Sequence, residues 1–213
     1  MEPLAVAFGV CGAAWGVACD RIGARWPAHE DGSVRRVDWR TPVVAIFGAA
    51  AMAAVPIRFD GGVERALFGA AFAAMVLLMA TDLDQRLMPD APNLLLIALG
   101  AAALVWGGNS LVNRQPVWLP VAAAVVVPLL LYLLALPFGE GALGGGDLEF
   151  LAGVGLLVGA VRLVVAVFVG VIASGVAIAV LLLLRRITLK SYIPLAPFLI
   201  IGAVWAALLP ASS

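Results

Sequence analysis

Charged residues are scarce in this sequence: they make up 12% of its 213 residues, whereas hydrophobic residues make up 64% and the mean hydropathy is +1.10. Soluble domains are nearer about one half apolar and one quarter charged, so this composition is typical of a protein embedded in a lipid bilayer. The 13 basic residues balance 13 acidic residues, and no basic domain is present that could neutralise a phosphate backbone. Composition therefore predicts the bilayer as a partner and excludes nucleic-acid binding.

Histidine and cysteine are almost absent. His29 is the only histidine, which excludes a histidine-based catalytic triad and a multi-histidine metal site. Cys11 and Cys19 are the only cysteines; both lie in the first apolar segment and form no CxxC pair, so we expect them to pack as small apolar side chains. We accordingly expect neither a metal nor a cofactor.

Long apolar runs dominate the rest of the sequence. A helix that crosses a membrane needs about 20 mostly apolar residues, within a range of roughly 17–25. Runs of this kind lie near residues 3–20, 42–58, 64–82, 92–108, 117–137, 148–161, 163–184 and 193–210. The sequence therefore predicts an all-α, polytopic transmembrane bundle of about eight spans that forms a single membrane-embedded domain over residues 1–213. The first run lacks a positively charged start, so we expect a retained helix rather than a cleaved signal peptide.

Basic residues in the loops predict the orientation. The loop after the first span carries Arg21, Arg25, Arg35, Arg36 and Arg40, and the loop after the seventh carries Arg185, Arg186 and Lys190. Since cytoplasmic loops are enriched in such residues, both loops are predicted to face the cytoplasm. By alternation, segments 82–90 and 138–147 face the cytoplasm as well.

Two acidic clusters lie at the ends of predicted spans, where ionisable residues are costly and often functional. Segment 81–90 closes the third span and reads Thr-Asp-Leu-Asp-Gln-Arg-Leu-Met-Pro-Asp, and segment 144–149 opens the sixth and reads Gly-Gly-Gly-Asp-Leu-Glu. Taken singly, the first could be a helix end in water and the second an Asp N-cap after a flexible loop. The remaining loop acids are expected to be solvated: Glu30, Asp31, Asp38 and Asp60.

Helical geometry separates the members of each cluster. Asp82 and Asp84 are about 200° apart around a helix, so we expect Asp82 to face the bundle and Asp84 to face solvent. Asp147 is the other inward candidate, with Glu149 on the opposite side of its helix. Two carboxylates that share a proton can hydrolyse an amide, because one activates water while the other protonates the carbonyl. Asp147 starts a helix and Asp82 ends one, which favours Asp147 as the ionised partner.

The two clusters resemble those of type IV prepilin peptidases, the bilobed group of GxGD intramembrane aspartyl proteases. Asp82-Leu83-Asp84 with Met88-Pro89-Asp90 is similar to that family's first motif, and Gly144-Gly145-Gly146-Asp147 is similar to its Gly-x-Gly-Asp motif. The resemblance implies that Asp82 and Asp147 are catalytic. It places the other motif residues near the substrate rather than in the chemistry, namely Gly144, Gly145, Gly146, Asp84, Pro89, Asp90 and Glu149.

The resemblance also implies a reaction and a location. Such an enzyme would cut the cytosolic leader from type IV prepilins or pseudopilins, in a prokaryotic cytoplasmic (inner) membrane, with its active site at the cytosolic face. Many members of the family carry a large methylation domain with paired CxxC motifs after the first helix. Here residues 20–41 form a loop of about 22 residues without CxxC, so methyltransferase activity is not expected. Glu149 replaces a lysine common in the family, and it adds to an acidic rim that would attract a basic leader. The acids of this rim, set against Arg86 alone, are Asp82, Asp84, Asp90, Glu140, Asp147 and Glu149.

Two other functions are compatible with the residues alone. Asp82 and Asp147 could bind a proton or a cation in an ion-coupled transporter, although both lie at a membrane edge rather than at its centre. The chain could instead be a non-catalytic scaffold of a pilus or secretion system. Loss of function on substitution of either aspartate by Asn separates an enzyme from a scaffold.

Overall fold

The computed structural model describes residues 2–28, 32–138, 143–188 and 194–210, and these ranges contain eight α-helices and no strand. The helices are α1 (Pro3–Gly23), α2 (Arg40–Arg58), α3 (Gly62–Gln85), α4 (Asp90–Trp106), α5 (Trp118–Ala135), α6 (Gly145–Val158), α7 (Ala160–Leu183) and α8 (Ala196–Leu208). Five of them, α1, α2, α3, α5 and α7, are long and apolar enough to cross a membrane, and α4 and α8 are shorter apolar helices. The all-α prediction is confirmed, and each predicted span corresponds to one helix.

Helix α3 lies at the centre of the bundle. Its most apolar window is 67% buried, compared with 22–33% for the other four long helices. It packs against α1, α2, α4 and α8, and its side chains Phe68 and Phe72 lie in the main core together with Phe59 and Phe150. The Phe59 and Phe68 rings stack with their centroids 4.1 Å apart. Because α3 is enclosed on several sides, its last turn is held at a defined place in the bundle.

Glycine brings α1 and α2 into close contact. A Cβ atom on Gly12 would meet the Gly48 carbonyl and the Met52 Cβ, the latter at 2.7 Å, and a Cβ on Gly16 would meet the Val44 carbonyl oxygen at 2.5 Å. Helices in lipid gain stability from such close van der Waals packing between small residues. Gly12 and Gly16 therefore act as packing residues between α1 and α2.

Substitution of Gly12 by Ala is expected to destabilise the α1–α2 pair by about 1–3 kcal/mol, the usual range for overpacking a close contact. The measurement is the thermal unfolding midpoint of the purified chain in detergent. Gly175→Ala in α7 is the matched control, since a Cβ there meets no heavy atom within 4 Å. An unchanged midpoint for Gly12→Ala would contradict the packing account.

Helices α4 and α6 are equally close. A Cβ on Gly100 would lie 2.6 Å from the Leu156 Cβ, and a Cβ on Gly153 would lie 2.8 Å from the Leu96 Cβ. Both contacts lie on the faces that the two helices turn toward each other. This packing fixes the first turn of α6 relative to the segment that joins α3 to α4.

Candidate active site

Asp82 lies in the last turn of α3 and is 5% exposed. Its Oδ2 atom is buried and has no hydrogen-bond partner among the described residues. The helix ends at Gln85, and Arg86 caps it in the left-handed conformation (φ 55°), where its N–H donates to the Asp82 carbonyl oxygen at 2.9 Å. A buried carboxyl oxygen without a protein partner is costly, and such groups are concentrated at functional sites.

Asp147 lies in the first turn of α6 and is half-buried. The Gly144 N–H donates to its Oδ2 atom at 3.0 Å, and the Asp147 N–H donates to the Gly144 carbonyl oxygen at 3.1 Å. These reciprocal bonds hold the carboxylate against the start of the helix, where the helix dipole favours a negative charge.

The two clusters meet through the segment between α3 and α4. A Cβ on Gly146 would lie 2.7 Å from both the Cβ and the carbonyl oxygen of Met88, so the Gly146 backbone rests directly on that residue. The Asn93 amide donates to the Gly146 carbonyl oxygen at 3.0 Å. This seating joins the first turn of α6, which carries Asp147, to the segment that directly follows the last turn of α3, which carries Asp82. The two residues predicted as a pair therefore lie on neighbouring segments of the bundle.

The other predicted site residues surround this pair. Pro89 occupies the N-cap position of α4, and Asp90 follows as an exposed residue of its first turn. Gly144 and Gly145 are exposed, and a Cβ on Gly145 meets no heavy atom within 4 Å. Glu149 is half-buried, and its Oε2 atom is buried without a hydrogen-bond partner in the described ranges. An extended peptide could thus approach the pair over a surface that lacks side chains at two positions.

Asp84 corrects one expectation. It was predicted to face solvent, but its side chain is only 3% exposed and its Oδ1 atom lies 2.6 Å from Arg35 Nε. The prediction that Asp82 and Asp84 point to different sides of α3 is correct. The predicted exposure of Asp84 to solvent is wrong, because Arg35 and the loop after α1 cover that side of the helix.

Asp38 was also predicted to be solvated, and it too is paired. It accepts bonds from Arg35 Nη1 at 2.6 Å and from Arg40 Nη1 at 3.1 Å. Slight burial opposes ionisation of this carboxyl, but the Arg40 backbone N–H and the charges of Arg35 and Arg40 hold its pKa below the usual range. Glu30 and Asp31, for which the same prediction was made, lie outside the described residues.

Sequence reasoning missed Asp20 and Arg35 as parts of this region. Asp20 is 1% exposed and pairs with Arg21 and Arg35. The available signal was the position of Asp20 at the very end of an apolar span, directly before a loop that carries four further arginines after Arg21. An acid at membrane depth beside such a loop calls for an arginine partner.

Comparison with known proteins identifies the family. The sequence model of the type IV leader peptidase family matches residues 69–182, a range that includes both Asp82 and Asp147. The chain is 26% identical over 175 residues to a prepilin leader peptidase/N-methyltransferase of Bacillus subtilis, covering 81% of this chain and 67% of that protein. It is 29% identical over 182 residues to a protein of the same name from Burkholderia pseudomallei, covering 85% of this chain and 53% of that protein. No solved structure gives a significant match.

Proposed function

Since this chain belongs to the type IV leader peptidase family, we propose that it is an intramembrane aspartyl endopeptidase that removes the cytosolic leader from type IV prepilins or pseudopilins. One observation carries the proposal: Gly146 seats α6 on Met88, and this contact joins the turn that carries Asp147 to the segment that directly follows Asp82 and its helix end. The multiple apolar helices and the family relationship together support a multi-pass protein of a prokaryotic inner membrane. The site would face the cytoplasm, as the arginine-rich loop predicts.

The proposed chemistry uses one proton shared between two carboxyls. Asp147 is the ionised partner, and it accepts a proton from a water molecule as the resulting hydroxide attacks the scissile carbonyl carbon. Asp82 gives its proton to the carbonyl oxygen, so the product of this step is a neutral tetrahedral diol. Asp147 then returns its proton to the leaving nitrogen as the C–N bond breaks, while Asp82 recovers a proton from a hydroxyl of the diol. Both residues end in their starting states.

The local structure supports this division of roles. Asp147 accepts an N–H bond from Gly144 and sits at the positive end of the α6 dipole, and both features stabilise a negative charge. Asp82 sits at the negative end of the α3 dipole, and its buried Oδ2 atom has no hydrogen-bond partner among the described residues. Both features favour the protonated form of this carboxyl.

The substrate would enter across the glycines. Gly144 and Gly145 are exposed and carry no side chain, so the backbone of a leader peptide could lie against them near Asp147. Asp90 and Glu149 place negative charge at this edge, which would attract a basic leader. Asp84, predicted to share in this rim, is neutralised by Arg35 instead. Glu140, also part of the predicted rim, lies outside the described residues.

The proposal is restricted to the peptidase step. The relatives from Bacillus and Burkholderia are named N-methyltransferases as well as peptidases. In this chain the segment 20–41 contains no cysteine, and Cys11 and Cys19 do not form a CxxC pair. We therefore assign it neither a methyl-donor cofactor nor a metal.

Co-expression with a prepilin, in cells that lack their own leader peptidase, tests the function. We expect the native chain to convert the precursor to a shorter pilin, whose new amino terminus maps by mass spectrometry to the residue just before its apolar helix. Membranes without the chain should contain precursor only. Absence of mature pilin with several different prepilins, at normal levels of the chain, would refute the proposal and favour a scaffold.

A further inference from the structure

Arg35 joins three carboxylates from three parts of the chain. Its Nε atom lies 2.6 Å from Asp84 Oδ1 at the end of α3, its Nη1 atom bonds Asp38 Oδ1 in the loop at 2.6 Å, and its Nη2 atom bonds Asp20 Oδ1 near the end of α1. The Arg35 side chain is 12% exposed. Two of these contacts, to Asp38 and Asp20, are charge-assisted hydrogen bonds, and the contact between Arg35 Nε and Asp84 is an ion pair without hydrogen-bond geometry. A planar guanidinium suits this arrangement, because its edges face carboxylates on different sides at once.

The α1 side of this cluster is firmly held. Asp20 also accepts a bond from the Thr41 hydroxyl at 2.6 Å and pairs with Arg21 at 2.5 Å, while Arg40 contacts Asp38 and lies 3.6 Å from Asp84. Breaking one partner out of a buried ion pair is strongly unfavourable, because it leaves a desolvated charge behind. Arg35 is therefore fixed by Asp20 and Asp38 independently of its contact with α3.

The last turn of α3 has a second attachment. The Gln85 side-chain amide donates to the Gly23 carbonyl oxygen at 3.1 Å and to the Pro27 carbonyl oxygen at 2.7 Å. Asp84 and Gln85 thus fasten the last turn of α3 to α1 and to the segment that follows it. The last turn of a helix frays readily unless side chains or neighbours hold it.

Asp82 projects from the side of this turn that is opposite to Asp84. It lies two residues before Asp84, about 200° around the helix. Any rotation or lift of the last turn that follows loss of the Asp84 contact also moves the Asp82 carboxyl away from Asp147. Misplacement of a reacting group by about 1 Å can cost about 100-fold in rate.

We propose that Arg35 is a positioning residue for the Asp82–Asp147 pair, which acts by holding Asp84 and with it the last turn of α3. This inference rests on the proposed peptidase function. Arg35 does not touch the reacting atoms and acts only through Asp84. Its contact with Asp20 ties this pair to the end of α1.

Initial rates of prepilin cleavage by the purified chain, at varied substrate concentration, test the inference. Arg35→Gln and Asp84→Asn are each expected to lower kcat about 10- to 50-fold while KM stays within about twofold, because positioning affects the chemical step and not the binding of the leader. The double variant should be no slower than the slower single variant, since the Arg35–Asp84 contact that positions α3 is already lost in each single variant. Arg36→Gln is the matched control: Arg36 is the exposed neighbour in the same loop, and this variant should match the native chain.

If the Arg35→Gln protein does not fold well enough to be purified, the Arg35→Lys variant is measured in the same cleavage assay. Lysine keeps the positive charge, but its single nitrogen cannot replace the three nitrogens with which Arg35 contacts the three carboxylates, so an intermediate kcat is expected. A native kcat for Arg35→Gln or Arg35→Lys, losses that multiply in the double variant, or a raised KM at unchanged kcat would each overturn the inference. If the native chain itself does not cut prepilin, the proposed function fails. If it cuts prepilin and Arg35→Gln behaves like Arg36→Gln, the positioning role alone fails.

Discussion

The substitutions Asp82→Asn and Asp147→Asn are each expected to lower the rate of leader removal by about 1,000-fold or more. Asn has nearly the shape of Asp, but it can neither take a proton from water nor give one to a carbonyl, and such proton transfers are worth about 10²- to 10⁴-fold each. In the proposed mechanism the two carboxyls share one proton, so loss of either carboxyl also removes that proton. The measurement is the time course of precursor and mature pilin in membranes that contain equal amounts of each variant.

Asp60→Asn is the matched control for both substitutions. Asp60 is an exposed residue of the loop that joins α2 to α3, at the end of α3 remote from Asp82, and its substitution is expected to leave the rate within about twofold of native. Retention of more than about a tenth of the native rate by either Asn variant would show that the proton transfers occur elsewhere.

The substitution Gly146→Ala is expected to lower the cleavage rate about 30- to 100-fold, because it displaces the neighbouring Asp147 carboxyl. The added Cβ would lie 2.7 Å from the Cβ and from the carbonyl oxygen of Met88. The Met88 carbonyl oxygen is a backbone atom two residues before the start of α4, so it cannot move aside as a side chain could. The first turn of α6 has to move away from it instead. Asp147 is the next residue and moves with it. Initial rates with purified protein, together with the thermal midpoint in detergent, separate displacement of the site from unfolding.

Gly145→Ala is the adjacent control for this prediction. A Cβ at position 145 meets no heavy atom within 4 Å, so this variant leaves α6 in place and should keep kcat within about threefold of native. Any obstruction of the leader peptide by the added methyl group should appear in KM instead. The pair therefore distinguishes a requirement for close backbone approach from a general need for a flexible glycine loop. Equal losses at both positions would favour flexibility, and full activity of Gly146→Ala would contradict the seating of α6 on Met88.

The helices could be predicted from the sequence because lipid imposes a simple requirement. Each backbone polar group must be satisfied within its own segment, so long apolar runs become helices, and their lengths follow from the bilayer. All eight predicted runs correspond to helices, with shifts of a few residues at the ends. The largest consequence of such a shift is at α6, which begins at Gly145, so that Asp147 lies inside the first turn rather than before it.

The proposed pairing of Asp82 with Asp147 follows from the sequence, because both residues lie at span ends on one predicted face. The contact of Gly146 with Met88, which positions the first turn of α6, was only suggested by the run of three glycines. Nothing in the sequence shows that Gly146, rather than Gly144 or Gly145, is the residue that has no room for a side chain. That distinction depends on the position of Met88, which is set by how α4 packs on α6.

The surroundings of Asp84 could not be predicted. A helical projection shows that Asp84 points away from Asp82, but it does not show which segment covers that side. The covering segment is the loop after α1, and its arginines appeared in the sequence as a signal of orientation only. Arg35 is distinguished from exposed Arg36 by its contacts to Asp20 and Asp84, residues that are 15 and 49 positions away in the chain.

The most direct test of a two-aspartate leader peptidase is cleavage of a purified prepilin by the purified chain alone, in detergent or in reconstituted membranes. The native chain is expected to cut one peptide bond, just before the apolar helix of the prepilin, and to release the leader and the mature pilin in equal amounts. The variant that carries both Asp82→Asn and Asp147→Asn should leave the precursor intact over the same period. Equal cleavage by the native and the doubly substituted chains, or no cleavage by either, would contradict the account.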